Sequence, residues 1–199
     1  MNMNGILGLV IGYALGGIPF GWLVVRWLRG ADVRQEGSGN IGAANVLRTS
    51  GWGLGLAVLL LDAAKGWAAV MIACNLTERS VPWAAAAGLA AMFGHSFPAL
   101  LKFKGGKSVA TFFGAFLAIS PATLGAVTVL YLAAVLVTRM SSVGSLLAVG
   151  TFPFGIWLIE HPEPVVVLIS AAAAVLVIWR HKENLRRIRE GDEPRIGRA

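Results

Sequence analysis

Three polar stretches interrupt an otherwise apolar chain, and two of them carry residue types that hold phosphate. The first reads Glu36, Gly37, Ser38, Gly39, Asn40, Ile41, Gly42, Ala43, Ala44, Asn45, Val46, Leu47, Arg48. Glycines on both sides of Ser38 let successive backbone amides turn toward one point, and Ser38 or Asn40 is placed to cap a short helix running to Gly51. On that helix Asn45 and Arg48 stand three apart and share a face. Amides at a helix N-terminus, with a guanidinium on the next turn, make an anion cradle. An ordinary Gly-rich turn before a capped interfacial helix is the plain alternative.

The second stretch reads Gly94, His95, Ser96, Phe97, Pro98 and resumes at Lys102, Phe103, Lys104, Gly105, Gly106, Lys107, Ser108, Val109. Its Gly-Lys-Ser tripeptide invites a nucleotide-binding P-loop, but Leu101 stands where that motif needs its first glycine, and no strand precedes it. What survives is a bend at Gly105 and Gly106, bracketed by Lys104 and Lys107 and opening a helix, which suits a phosphate. Lysines resting on lipid headgroups are the alternative. His95 closes an apolar segment and reads as a hydrogen-bonded interfacial residue before it reads as a catalyst. In the third stretch, His181 to Glu193, His181 and Asn184 stand three apart on a helix, and Glu183 is placed to pair with Arg187. A solvated basic tail is the default for that segment.

Missing chemistry narrows the class. There is no Gly-x-Ser-x-Gly elbow, and the residues five beyond the histidines are Leu100, Val166 and Arg186, so a His-x4-Asp dyad is absent. Carboxylates are not clustered as a divalent metal needs. Cys74 is the single cysteine and allows no intramolecular disulfide. No metal and no cofactor are expected. Asp62 and Lys65, three apart inside an apolar run, are costly in hydrocarbon and are expected to pair or to face a helical interior.

The elements that position these stretches are membrane spans. Hydrophobic residues make up 56% of the chain and charged residues 14%, and the mean hydropathy is +0.71; a soluble domain carries roughly 25% charged residues. Apolar runs place spans at about 3–28, 51–75, 81–101, 109–120, 122–137, 143–159 and 164–179. The expected fold is all-α: one polytopic membrane domain, 1–199, with seven transmembrane helices, N-terminus outside and C-terminus cytosolic. Joining 109–137 into one helix kinked at Pro121 gives six spans instead. Seven agrees better with the positive-inside rule, because fifteen of the seventeen basic residues, from Arg26 to Arg198, then face the cytosol; Arg79 lies outside and Lys65 within a span. The fourth span is short and is expected to be tilted or sheltered. The net charge of +7 reads as this bias and not as nucleic-acid binding. The opening Met-Asn-Met-Asn-Gly has no basic n-region or cleavage site, so the first span is expected to be retained. Runs such as Ala84 to Ala87 allow close helix approach, and no internal repeat is evident.

Taken in order, the segments from Gly37 to Arg48, Gly94 to Lys107 and His181 to Glu193 resemble the bacterial acyl-phosphate:glycerol-3-phosphate acyltransferase family, PlsY. The resemblance covers essentially the whole chain. Two departures are Ala44, where the family often has Thr, and Ser108, where it often has Gly. The resemblance implies a multi-pass enzyme of the bacterial inner membrane that moves an acyl group from acyl phosphate to the 1-hydroxyl of sn-glycerol 3-phosphate, giving lysophosphatidic acid and phosphate. It implies that Ser38, Asn40, Asn45, Arg48, Lys104 and Lys107 bind phosphate, that the Gly105 and Gly106 amides stabilise the oxyanion or the leaving phosphate, and that His181 and Asn184 orient glycerol or the acyl carbonyl. The hydroxyl proton goes to a substrate phosphate, to His95 or to His181, and the sequence leaves the three open. The implied partners are the two substrates and membrane lipids. A transporter of a small organic phosphate or other anion is the rival class, with Asp62 and Lys65 lining a path; a membrane scaffold is the third.

Overall fold

The computed structural model describes residues 2–197, and the regular elements among them are all helical; Arg198, counted above with the basic tail, lies outside the described residues. The chain forms two compact units, Met1–Ile119 and Ser120–Ala199. The first contains α1 (Met3–Gly16), α2 (Phe20–Arg29), a 3-10 turn (Val33–Gln35), α3 (Ala43–Ser50), α4 (Trp52–Leu76), α5 (Val81–Ser96), a second 3-10 turn (Ala99–Leu101) and α6 (Val109–Ile119). The second contains α7 (Pro121–Thr138), α8 (Ser141–Glu160), α9 (Pro164–Arg180) and α10 (Lys182–Glu190).

By length and apolarity, five segments among the described residues are able to cross a bilayer: Met3–Arg29, Trp52–Leu76, Val81–Leu101, Pro121–Thr138 and Ser141–Glu160. The pair α9 and α10, bent by 54°, makes a sixth. The expected fourth span is α6, whose 11 residues rise only about 16 Å against a hydrocarbon core of about 30 Å. It is sheltered as expected, with Thr111, Phe112, Gly114, Ala115 and Phe116 buried. A continuous 109–137 helix does not form. Ser120 leaves the helical region at φ −147° and ψ 63°, and Pro121 opens a new helix.

The first expected span, 3–28, is interrupted. Pro19 brings no N–H to the helical ladder, so the backbone breaks between Gly16 and Phe20. α1 still packs tightly, because its buried residues are all glycines, Gly5, Gly8, Gly12 and Gly16. A Cβ on Gly12 would stand 2.6 Å from the Ala87 carbonyl oxygen, and one on Gly16 would run into that of Ala91. α1 therefore lies backbone against backbone on α5. α4 meets α6 in the same way, Gly66 against the Thr111 backbone and Gly114 against the Ala63 backbone.

In the second unit α7 and α8 form a hairpin turned at Arg139 (φ 59°), and His161 (φ 46°) turns α8 toward α9. Glu160 accepts from Thr123 N and Oγ1, both at 3.1 Å, and so caps the first turn of α7. Large apolar side chains point outward in both units: Leu136 is 80% and Val137 85% exposed. Such faces are costly in water and at home in hydrocarbon.

Candidate active site

The first polar stretch is a loop folded around one side chain. Asn45, on the first turns of α3, is 2% exposed. Its Nδ2 donates to the carbonyls of Val33 (3.2 Å), Glu36 (3.0 Å) and Asn40 (2.9 Å), while its Oδ1 accepts from Ser38 N at 2.8 Å. Asn40 Oδ1 accepts from Gly42 N at 2.8 Å, and Gly39 N donates to the Glu36 carbonyl. The loop amides do not turn to one point as expected: those of Ser38, Gly39 and Gly42 go to three separate acceptors, Asn45 Oδ1, the Glu36 carbonyl and Asn40 Oδ1. α3 starts at Ala43, later than expected, with Gly42 at its N-cap and no side-chain cap. Ser38 and Asn40 therefore do not cap it. Asn45 and Arg48 also part company: the amide is turned under the loop while the Arg48 guanidinium is exposed.

Glycine is required at Gly37 on two counts. Its φ is 57°, and a Cβ there would run into Asn45 Oδ1 and stand 2.9 Å from Thr49 Cγ2. Arg29, on the last turn of α2, fixes both ends of the loop and helix by donating to Glu36 Oε2 (3.2 Å), the Thr49 carbonyl (2.9 Å) and Ser50 Oγ (2.7 Å). Inside the loop's base the Arg34 guanidinium, in contact with Asp32, holds that carboxyl well below the usual carboxylate range. Sequence reasoning missed Arg29 as a positioning residue. A basic residue in a last helical turn is common, and nothing local shows what it will reach.

The second stretch lies in the same unit, and Leu101 shares a buried cluster with Val33, Ile41, Val46 and Val58. The first two polar segments are thereby joined through one apolar core. Here the structure corrects the expectation for Gly105 and Gly106. Gly105 N donates to the Ser96 carbonyl at 3.2 Å and Gly106 N to the His95 carbonyl at 3.0 Å. The cause is the end of α5, whose last carbonyls lack helical partners and recruit these amides. They are already used, so they do not form an open anion nest. Gly105 has no room for a Cβ, which would strike the His95 carbonyl, and a Cβ on Gly106 would strike His95 Nε2. The loop is thus pressed on the His95 ring. Ser108 has φ 63°, where glycine is at ease, but its hydroxyl donates to the Met92 carbonyl at 2.6 Å and meets Ser96 Oγ at 2.8 Å. Lys104 is exposed and Lys107 half-buried.

His95 is 4% exposed, with Nδ1 3.5 Å from Asp62 Oδ1. The same carboxylate oxygen is 2.8 Å from Lys65 Nζ, and that ammonium also donates to the Ile18 carbonyl at 2.8 Å, inside the break between α1 and α2. Asp62 and Lys65 do pair as expected. The third member, His95, was not foreseen, because no sequence signal says which turn of α5 faces Asp62.

In the second unit the His181 Nδ1 lies 2.8 Å from the Val177 carbonyl, which only accepts, so that nitrogen carries a proton. His181 is 3% exposed and stands at the bend between α9 and α10. Asn184 Nδ2 donates to Glu193 Oε1 at 2.6 Å, and Arg187 Nε to Glu193 Oε2 at 2.8 Å. Burial pushes the Glu193 carboxyl up, but these donors and the Arg187 charge outweigh it and leave it below its ordinary value. The expected Glu183–Arg187 pair is replaced: Glu183 reaches Arg186 at 3.2 Å, since Arg187 is taken by Glu193. Gly191, at φ 82°, turns the chain back to make that contact. Among the described residues no group of His, Cys, Asp and Glu suited to a metal ion is present.

The side chains of Arg48 and Lys104 are exposed and make no hydrogen bond or ion pair among the described residues. Ser38 presents its side chain from the loop that Asn45 locks. Exposed cations without protein partners are a place for an anion with charge to spare, above all a phosphate.

Comparison with known proteins agrees with that chemistry. A family model described as glycerol-3-phosphate acyltransferase matches residues 6–191. Glycerol-3-phosphate acyltransferases from Nitrobacter winogradskyi and Methylorubrum extorquens are 47% and 45% identical, covering 99% and 97% of this chain and 98% and 93% of their own. The crystal structure of PlsY (YgiH), an integral membrane glycerol 3-phosphate acyltransferase, in its glycerol 3-phosphate form, superposes with a TM-score of 0.91 at 34% identity, over 97% of this chain and 96% of that one. Its lysophosphatidic acid form superposes with a TM-score of 0.88 at 32% identity, over 97% of this chain and 95% of that one. This chain therefore belongs to the glycerol-3-phosphate acyltransferase family, as a multi-pass membrane protein.

Proposed function

We propose that this glycerol-3-phosphate acyltransferase draws its acyl group from an acyl phosphate and delivers it to the 1-hydroxyl of sn-glycerol 3-phosphate, yielding lysophosphatidic acid and inorganic phosphate. The observation that carries the reading is the pair of exposed cations, Arg48 and Lys104, left without protein partners. Both substrates bring a phosphate, so each gains from such charges. Arg48, Lys104, Lys107, Ser38 and Asn40 are assigned to phosphate recognition. Asn45, with its whole amide engaged inside the loop, is assigned to shaping that loop instead. His181 and Asn184 are assigned to orienting glycerol or the acyl carbonyl, on the strength of the family resemblance.

The hydroxyl oxygen attacks the carbonyl carbon of the acyl phosphate, the carbon–oxygen bond to phosphate breaks, and phosphate leaves with the bonding pair. Phosphate is already a good leaving group, so no side-chain nucleophile is needed. A phosphate dianion with a second pKa of about 6 accepts the hydroxyl proton near neutrality. That choice of base is supported by His95 and His181 both being buried with Nδ1 toward protein oxygens. Lys104 and Lys107 balance the charge that develops on the carbonyl and leaving-group oxygens.

The proposed setting is one membrane domain of the bacterial inner membrane, crossing seven times with the N-terminus outside and the polar loops and basic tail in the cytosol. Basic residues from Arg26 through Arg195 support this orientation. The test is phosphate release from palmitoyl phosphate by the purified protein, with and without sn-glycerol 3-phosphate, alongside Lys104→Ala. Release that requires glycerol phosphate and is lost in the variant supports the reading; its absence in the unaltered protein overturns it.

A further inference from the structure

A buried polar chain runs through the first unit and ends against the Lys104–Lys107 loop. It begins at the Ile18 carbonyl, in the break that Pro19 forces between α1 and α2, and passes to Lys65 Nζ (2.8 Å), then Asp62 Oδ1 (2.8 Å), then His95 Nδ1 (3.5 Å). Beyond the ring, Nε2 faces Gly106, where there is not even room for a methyl group. Asp62, Lys65 and His95 are 1%, 4% and 4% exposed. A lone Asp–Lys pair would neutralise itself on α4 without any of this. The carboxylate lies on the Nδ1 side of the ring and so favours the orientation in which Nδ1 faces Asp62 and Nε2 faces Gly106.

We propose that Asp62 is a positioning residue for the reaction: held by Lys65, it sets the orientation of the His95 ring, and the ring sets the pose of the Lys104–Lys107 loop. The inference rests on that loop binding the phosphate of glycerol 3-phosphate. Its physical basis is the close contact of ring and loop. Gly105 and Gly106 are hydrogen-bonded to the Ser96 and His95 carbonyls and packed on the ring, so a rotated imidazole displaces the backbone that carries Lys104 and Lys107. Interiors transmit such shifts because they are close-packed, and a misplacement of about 1 Å costs on the order of 10²-fold in rate. His95 in this scheme supports the loop and is not the base.

Asp62→Asn alone leaves Lys65 buried without a counter-charge and is expected to destabilise the fold. The informative variant is the double replacement Asp62→Asn with Lys65→Met, which removes the stranded charge together with the carboxylate. It is measured in the full-length purified protein, beside Lys104→Ala, for thermal stability, for kcat, and for KM and calorimetric affinity toward glycerol 3-phosphate. The expected result is a thermal stability recovered relative to Asp62→Asn, with KM for glycerol 3-phosphate still raised by about tenfold or more. His95→Asn, which keeps a donor where Nδ1 stands, is expected to retain more affinity than His95→Leu. If the double variant binds glycerol 3-phosphate as the unaltered protein does while Lys104→Ala does not, Asp62 serves only to neutralise Lys65 and the inference is overturned. If Lys104→Ala also binds normally, the loop is not the phosphate site, and both readings fall together.

Discussion

Asn45 and Arg48 stand one turn apart and illustrate two different uses of a polar side chain. Asn45 closes four hydrogen bonds inside the loop, so Asn45→Ala strands buried backbone groups at roughly 1–3 kcal/mol each. Acyltransferase activity is expected to fall on the order of 10²-fold, with no recovery at saturating glycerol 3-phosphate, as the loop itself is lost. Arg48 closes none. Arg48→Ala is expected to leave the melting temperature unchanged and to raise KM for glycerol 3-phosphate by about tenfold or more, as for loss of a charged hydrogen bond. An assay of kcat and KM beside a melting curve separates the two. Ser108 makes a third case. Its φ of 63° is unfavourable for a side chain, while its hydroxyl bonds to Met92 and Ser96 return a similar amount. Ser108→Gly is therefore expected to change stability by no more than about 1 kcal/mol, measured by thermal melting.

Among the helices, the close approach of α1 to α5 and of α4 to α6 depends on absent side chains. Gly16→Val puts a branched side chain into the Ala91 backbone, and Gly66→Val does the same at Thr111. Overpacking of this kind costs about 1–3 kcal/mol. Gly66→Val is expected to be the more damaging for activity, because α4 also carries Asp62 and Lys65. Comparing residual activity of the two variants at equal thermal destabilisation checks this. The interruption at Pro19 belongs to the same scale: a helix without it would bond the Ile18 carbonyl internally and leave Lys65 to find another acceptor.

At the scale of the whole molecule, the chain settles in hydrocarbon, and most of its polar side chains lie in loops and at helix ends, with Asp62 and Lys65 the pair held inside α4. The C-terminal segment is held by Glu193, whose carboxyl lies below its ordinary value of 4.5 in the folded protein. A carboxylate of lowered folded pKa contributes stability that is full above the unfolded value and is lost as pH falls through the folded one. Glu193→Gln is therefore expected to melt below the unaltered protein at pH 7, and the gap is expected to close as pH falls below about 4.5. A gap that persists at low pH means that hydrogen bonding, not charge, secures the segment.

Composition and apolar periodicity by themselves determined that this is a helical membrane protein, and residue type singled out two polar segments suited to phosphate as candidates. Those are properties of solvent and residue type, and they need no tertiary contact. The pairing of Asp62 with Lys65 was equally legible, since i,i+3 spacing in a helix and the cost of buried charge leave few alternatives. What only the tertiary structure decided is which polar atoms remain available. Gly105 and Gly106 have the spacing of an anion nest, yet their amides are taken by the open end of α5. Asn45 has the side chain of a phosphate ligand, yet it is enclosed by the loop it organises. His95, Arg29 and Glu193 found partners six to thirty-three residues away. Hydrogen-bond capacity is written in the residue type, whereas its use depends on which donors and acceptors the packed helices bring within 3 Å or so of one another.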